Sequence, residues 1–390
     1  MSKTIALVDR YSGGHHQTYA SFFRSALEGL GFEVVPVLPE LKTADLGPES
    51  ASRGRAALGL KRWVPRMARQ VARTVMLSRR LRRWKKTHGK PIDAVFFACI
   101  YDWDFDYAWL TSRFFPYRWA GLYLQASSIH SPNAPMAGGG RVPSVAALFS
   151  SPRCLGVGLL DQAAIPAVRA RLSAEKRVVW FPDIANSELP EPGSPAAAIA
   201  EELLRKADGR PIVSLVGALQ RSKGIELFAS LVADSRMADV CFFLGGEISW
   251  DGVPATTKDQ IEAACTAAGN LVRYPRYIPD GPAYNGIIKA SSLLFAAYPK
   301  FPHSSNTLTK AACFRVPIVC TRETLMGNAV DQYGLGSTIA EGDLEDAVGA
   351  IRKMLTPDWQ ATYQRSNKAA DYVEIHSPAA LQAAFAELLG

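Results

Sequence analysis

The sequence contains no Cys-x-x-Cys pair, and its six cysteines (Cys99, Cys154, Cys241, Cys265, Cys313, Cys320) are scattered. That spacing argues against a structural zinc site and for reduced, buried thiols in a reducing compartment. No window of 18 apolar residues occurs, so no membrane span is predicted. The first nine residues run straight into an apolar segment and lack the charged, apolar and small-residue regions of a signal peptide. A Gly-x-Gly-x-x-Gly fingerprint is missing, and no acidic residue closes the second predicted strand, which disfavours a nicotinamide dinucleotide. The most local absence is one of charge: no Asp or Glu lies between Ser52 and Ile92.

That same stretch holds fourteen of the 44 lysines and arginines. The chain as a whole carries a net charge of +8, so everything outside the stretch sums to −6. The protein therefore reads as a mildly acidic body with one strongly basic segment. At 48% hydrophobic and 21% charged residues, 390 residues are enough for two or three globular domains.

Apolar runs of strand length alternate with helical patterns. The first run is Thr4 to Asp9, followed by Gly13-Gly14-His15-His16, a helical stretch from Tyr19 to Leu30, and a second run from Phe32 to Leu38. Strand, glycine loop, helix, strand is a βαβ unit and implies a parallel sheet. Further strands are predicted at Asp93–Cys99, Ala120–Gln125, Cys154–Leu159 and Arg177–Phe181. Asn186 to Pro195 holds three prolines and a glycine and reads as a linker with a hinge near Pro190. A second series follows, with strands at Pro211–Gly217, Val240–Gly245, Leu293–Ala297 and Val316–Cys320, and a helix predicted over Ser222–Val232. Two doubly wound α/β domains facing a cleft are expected, with ligands at the carboxyl ends of the strands.

Three loops carry candidate chemistry. Gly13-Gly14 between strand and helix lets a phosphate or sugar approach the backbone; a plain tight turn explains the same residues. His15 and His16 open the helix, where an acid–base role and simple exposure are both open. In Val216-Gly217-Ala-Leu-Gln-Arg221-Ser222-Lys223-Gly224, two cations flank a helix start that Ser222 is placed to cap, which suits a diphosphate or a solvated basic turn. In Pro299 to Lys310, Ser304, Ser305 and Asn306 are N-cap residues able to hold phosphate oxygens or only to cap.

Together these features resemble the GT-B glycosyltransferases, in particular the retaining family-4 type, over nearly the whole chain. Gly13-Gly14-His15 with Gly31-Phe-Glu-Val resembles the family's first loop and second strand. Trp180-Phe-Pro-Asp-Ile184 resembles the strand that closes the first domain. Val216-Gly217 to Lys223-Gly224 is similar to the family's "VGR…KG", Ala311 to Val319 to "AMACGVPVI", and Leu344 to Leu389 to its late and closing helices. Two departures stand out. The family's pair of donor-site glutamates is replaced by Pro302 and Lys310. Its arginine after the strand glycine is replaced by Ala218, with Arg221 three residues along to supply the charge.

The resemblance implies an α/β fold of GT-B type, with two Rossmann-like doubly wound parallel-sheet domains. The expected boundaries are an acceptor-side domain over 1–188, a linker and start of the second domain over 189–209, a donor domain over 210–372, and a C-terminal helix over 373–390 packing back on the first domain. It implies transfer of a sugar from a nucleotide-sugar to a saccharide acceptor with retention, no bound metal and no cofactor. Arg221, Lys223 and His15 are then the expected catalytic residues, the two cations facing the charge that develops on the leaving diphosphate. Gly13, Gly14, Gly217, Ser304, Ser305, Asn306, Thr307 and Lys310 are expected on the donor, and His16, Tyr101 and Asp102 on the acceptor. Asp102, Asp104 and Asp106 suggest a metal-binding Asp-x-Asp, but that motif belongs to the other glycosyltransferase fold, and acids favour a helix's first turn anyway.

The basic segment reads as an amphipathic helix from Trp63 onward, with Val64, Met67, Val71, Val75, Leu81 and Trp84 on one face. Arg62, Arg66, Arg69, Arg73, Arg80 and Arg83 are the expected membrane-surface residues, against a lipid-linked acceptor on an anionic leaflet. A solvated face is the plain alternative. Nucleic acid is disfavoured, because the rest of the chain is acidic and carries no recognised binding module. The expectation is a cytoplasmic glycosyltransferase, peripheral on the inner face of a membrane, in glycan or exopolysaccharide synthesis. A sugar-nucleotide epimerase and a non-catalytic membrane scaffold of the same fold are the alternatives.

Overall fold

The structure, a computed structural model, describes residues 2–9, 15–37, 66–100, 115–124, 149, 151–266 and 269–390; the side chains of 15–17, 66–70, 265 and 266 are outside that description. The chain forms two compact units, residues 1–182 with 378–390, and residues 183–377.

The first unit is built on six strands: β1 (Thr4–Val8), β2 (Glu33–Val37), β3 (Ala94–Ile100), β4 (Trp119–Tyr123), β5 (Cys154–Leu159) and β6 (Arg177–Trp180). They pair in parallel in the order β2-β1-β3-β4-β5-β6. The runs Ile-Ala-Leu in β1 and Ala-Val-Phe in β3 are nearly all buried, as expected of strands covered on both faces. The helix His15–Gly29 crosses from β1 to β2, and the helix Arg66–His88 precedes β3. The last helix, Pro378–Leu389, belongs to this unit and packs against the first helix and against β5 and β6. Its Phe385 meets Phe96 at a ring-centroid distance of 4.8 Å, Phe181 at 5.1 Å and Phe23 at 5.5 Å. Edge-to-face pairs of this kind each add about 1 kcal/mol beyond their buried area, which anchors the chain's last residues to its first sheet.

The second unit holds β7 (Ile212–Val216), β8 (Cys241–Gly245), β9 (Leu271–Tyr274), β10 (Leu293–Ala296), β11 (Ile318–Thr321) and β12 (Gly336–Ile339). They are again parallel, in the order β12-β11-β10-β7-β8-β9. Its core includes Phe228, Phe242, Phe243 and Phe295, all fully buried. The two outer strands, β9 and β12, went unrecognised in the sequence. Each has four residues, and most positions of Leu-Val-Arg-Tyr and Gly-Ser-Thr-Ile are only half-buried. An edge strand covered on fewer sides needs no unbroken apolar run, and without one it has no signature.

One glycine pair is required by a close backbone approach. Gly217 and Gly246 end β7 and β8 with φ of 129° each. A Cβ on Gly246 would stand 1.8 Å from the Gly217 carbonyl oxygen. The two backbones therefore approach more closely than any side chain allows.

Among the described residues five cysteines are free thiols, four of them buried. No helix there is long and apolar enough to cross a membrane. The basic helix Arg66–His88 turns apolar residues toward the first sheet. Leu81 is fully buried in the first unit's core, with Leu77 and Trp84 packed against it, so the apolar face is already occupied. What faces outward is Arg79, Arg80, Arg82, Arg83, Lys85 and Lys86, all exposed, with Met76. Arg73 is half-buried, and Arg62 and the side chains of Arg66 and Arg69 lie outside the described residues.

Candidate functional site

In an open parallel sheet, a ligand crevice opens where consecutive crossovers leave in opposite directions, at the strands' carboxyl ends. In the first unit that point lies between β1 and β3. The chain leaving these strands carries Gly13, Gly14, Tyr101 and Asp102, and also Asp104 and Asp106, all outside the described residues. His15 and His16 open the first helix, their side chains likewise undescribed. Sequence reasoning passed over Asp9, which directly follows β1 and is only 2% exposed.

In the second unit the corresponding point lies between β7 and β10. The loop after β7 runs from Gly217 to Gly224, and the loop after β10 from Ala297 to Ser305. Residues 221–223 form a single 3-10 turn, and the helix that follows spans Ile225–Ala233 with Gly224 as its N-cap, at φ 73°. Ser222 is therefore not the cap expected of it. A Cβ on Gly224 would stand 2.6 Å from the Ala297 carbonyl oxygen, so the two loops touch through backbone at this residue.

Lys223 links the same loops by its side chain. Its Nζ lies 4.1 Å from the centroid of the Tyr298 ring and 4.7 Å from that of Phe301. Aromatic faces attract a cation by about 0.5–2 kcal/mol, depending on solvation. Burial lowers the Lys223 pKa to about 8, with the Asp183 carboxylate pulling the other way. Burial also raises the Tyr298 hydroxyl well above its usual range. Arg221, the other expected catalytic cation, is exposed and pairs with Glu226 at 2.8 Å.

The second loop leads into the helix Asn306–Phe314. Ser305 is its N-cap in extended conformation, but its side chain makes no capping bond; it donates to the Thr307 hydroxyl at 3.3 Å. Asn306 and Thr307 are buried in the first turn, and Pro302 is exposed on the loop. The Ser304 hydroxyl donates to the Asp183 carboxylate. A helix start without a side-chain cap, beside a lysine, favours an anion.

Lys310, expected on the donor, is placed elsewhere. It is fully buried, and its ammonium donates to Asp280 Oδ1 at 2.9 Å, the Asn186 carbonyl at 3.0 Å and Asn285 Oδ1. An ammonium has three N–H donors, so all are occupied. Burial lowers its pKa, and Asp280 opposes that. Lys310 is thus a structural cation on the buried face of the helix Asn306–Phe314. With Asn285, which donates to Asn186 and to the Glu188 carbonyl, it ties the segment 186–188 to the helix Pro282–Ala290.

Sequence reasoning also missed a buried hub at Asp183, itself 2% exposed. The Asp183 N–H donates to His376 Nδ1 at 2.8 Å, and its carbonyl accepts from Thr309 Oγ1 at 2.8 Å. These partners lie 193 and 126 residues away, beyond any local signal. Because Nδ1 accepts, the imidazole is neutral with its proton on Nε2. Burial lowers the His376 pKa, with Asp183 opposing. A folded-state pKa below the unfolded value near 6.5 stabilises the fold above that pH and loses this stabilisation as pH falls through the folded value. Thermal melts are expected to drop as pH falls below about 6.5, and less so in His376→Gln. Equal pH slopes for the two proteins would contradict this role.

Among the described residues no group of three His, Cys, Asp or Glu side chains is placed to hold a metal ion. No protein-family model matches the chain, and no curated protein does. Solved structures do match. A sucrose-phosphate synthase from Thermosynechococcus elongatus aligns with a TM-score of 0.69 at 15% identity, covering 99% of this chain and 98% of that one. A trehalose-6-phosphate protein from E. coli, solved with UDP-2-fluoro glucose, aligns at 0.67 with 13% identity and 99% coverage of each chain. HepE from Anabaena, solved with UDP and glucose, aligns at 0.63 with 13% identity, covering 100% of this chain and 99% of that one. The chain has the GT-B fold.

Proposed function

We propose that this protein is a glycosyltransferase that takes a sugar from a nucleotide-sugar and passes it to a saccharide acceptor, with the donor's diphosphate lodged at the carboxyl edge of the second sheet. The observation that carries this reading is Lys223, an ammonium held over Tyr298 and Phe301 where the loops after β7 and β10 meet. A fixed cation and the uncapped start of the Asn306–Phe314 helix form a preorganised counter-charge for a leaving diphosphate. Because that charge grows as the glycosidic bond breaks, such groups favour the transition state over the bound donor. Full-length likeness to structures solved with UDP and a glucose ligand supports the nucleotide-sugar half. Retention, a site without resident metal, and roles for His15, His16, Tyr101 and Asp102 follow the family resemblance and belong to the proposal. Calorimetry with UDP-, GDP- and dTDP-sugars tests it. At least one should bind with a millimolar or tighter Kd, and heat-silent titrations across the panel would refute the reading.

The same proposal seats the protein on the inner face of a membrane, next to a lipid-linked acceptor. Its support is the exposed row Arg79, Arg80, Arg82, Arg83, Lys85 and Lys86 on a helix without any acid. Each such cation contributes about 1 kcal/mol near an anionic leaflet. Flotation with phosphatidylglycerol vesicles should recover the protein at low salt and lose it at high salt. Reversing Arg79, Arg80, Arg82 and Arg83 to glutamate should abolish recovery. Flotation that ignores salt and these substitutions would rule the surface out.

A further inference from the structure

A cavity of about 800 Å³ opens on the second unit, away from the loops that hold Lys223. Pro211, Ser292 and Pro317 line it, and each directly precedes a strand, β7, β10 and β11 in turn. The cavity therefore lies at the amino ends of these strands, and the donor loops leave the carboxyl ends of β7 and β10. Its size is within the range of roughly 300–1,000 Å³ usual for small-molecule sites. Nothing in the glycosyl transfer proposed above uses it. Two cations line it: Lys289, in the last turn of the helix Pro282–Ala290, and Arg315, at the C-cap of the helix Asn306–Phe314. Neither side chain makes a hydrogen bond or ion pair among the described residues. No carboxylate of those residues lines the cavity.

Arg315 stands in the left-handed conformation, at φ 51° and ψ 39°, which suits glycine and disfavours a residue with a Cβ. Its backbone is pinned on both sides. The N–H donates to the Ala312 carbonyl at 3.1 Å, and the carbonyl accepts from Gln364 Nε2 at 3.2 Å. A cation that only offset the helix's C-terminal dipole would serve anywhere in the last turn, without that strain. Strain of this kind gathers at ligand sites. The helix Pro357–Ser366 adds Gln360 and Gln364 to the lining. One turn from Gln360, Tyr363 is 4% exposed, and its hydroxyl has no hydrogen-bond partner. Buried hydroxyls are rarely left unpaired, so this one marks a place where a polar group arrives from outside the chain. We propose that the cavity is a second ligand site, for a small phosphorylated, hydroxyl-bearing molecule whose phosphate lies between Lys289 and Arg315. The Arg315 guanidinium offers a planar fork to two phosphate oxygens, and Lys289 a point charge. Ser292 Oγ accepts from the Ile212 N–H, which leaves its own O–H to donate. Gln360 gives its amide N–H to the Met354 carbonyl, which leaves its Oε1 to accept from a ligand hydroxyl.

The test is calorimetry on the full chain in phosphate-free buffer, with inorganic phosphate and glucose 6-phosphate as probes and glucose as the uncharged control. It is run in a Lys223→Ala background, so that the donor loops do not compete for the anion and the result does not depend on the donor reading. Glucose 6-phosphate should bind at millimolar concentration or below, more tightly than inorganic phosphate, and glucose should give no heat. Arg315→Gly keeps the left-handed turn and removes only the side chain. Its Kd for glucose 6-phosphate should rise about 10-fold or more, and Lys289→Ala should do the same. Without ligand, Arg315→Gly should melt at or above the parent temperature, because the strain is released, so the loss of binding is read on folded protein. Silence from both phosphate probes at millimolar concentration would overturn the proposal. So would glucose binding as tightly as glucose 6-phosphate, or an unchanged Kd in both Arg315→Gly and Lys289→Ala.

Discussion

Lys310→Glu should destabilise the second unit more than any other single change considered for this protein. The family resemblance places a glutamate at this position, so the substitution looks like a repair. In the structure it is the opposite. The three partners of the Lys310 ammonium, Asp280 Oδ1, Asn285 Oδ1 and the Asn186 carbonyl, are all acceptors. A glutamate would bring a second carboxylate beside Asp280 in a fully buried space and offer none of the three a proton. Breaking a buried pair costs about 3–5 kcal/mol. In a unit of this size that lowers a melting temperature by about 10 °C or more. Differential scanning calorimetry measures the loss directly. Lys310→Met combined with Asp280→Asn should recover part of it, because no charge is then left alone. A Lys310→Glu protein melting within about 2 °C of the wild type would show that the ammonium carries no structural load.

Lys223→Ala should have the largest effect on function. Its side chain holds the loop pair only by ring contacts, so the fold should persist, with a melt within a few degrees of the wild type. The diphosphate loses its fixed cation. Hydrogen bonds to charged groups contribute about 1.5–3 kcal/mol, so the Kd for a nucleotide or nucleotide-sugar should rise about 10- to 100-fold. Transfer should fall further, about 100- to 1000-fold, because the lost interaction is strongest on the departing diphosphate. Lys223→Arg should retain more binding than Lys223→Ala. In the wild type, binding should weaken as pH rises past about 8, where the ammonium loses its proton. An alanine variant with wild-type affinity would move the donor site away from this loop pair.

Much of the architecture was legible in the sequence. Ten of the twelve strands announce themselves as short apolar runs because both faces of a parallel sheet are buried. The two edge strands are half-covered and carry no such run. The Ser222 cap failed for a local reason: Gly224 adopts a left-handed conformation against Ala297 and starts the helix two residues later. Within the candidate site, Gly217 and Lys223 stand out in the sequence because a strand end, a glycine and a lysine lie within eight residues. The aromatic rings that cradle Lys223 do not, because they arrive from the loop after β10, three strands later in the chain although β10 lies beside β7 in the sheet.

The sequence alone determined the fold class, the two βα series and the confinement of excess positive charge to one stretch, since all three follow from the local order of residue types. Only the tertiary structure decided what individual side chains do. Composition marks Lys310 and Lys223 as two lysines near glycine- and serine-rich loops. Packing makes the first a saturated cation on the buried face of its own helix and leaves the second on two rings at the carboxyl ends of the strands. Asp183 and His376 are likewise unremarkable in sequence and become one hub through contacts that span 193 residues. The basic helix shows the same division. Its charge was countable from the chain, but only the burial of Leu81, with Trp84 packed alongside, decided that the charged face, not the apolar one, turns outward. The reason is common to all three: burial and hydrogen-bond partners are set by which distant segments the sheets bring together, and no local pattern encodes them.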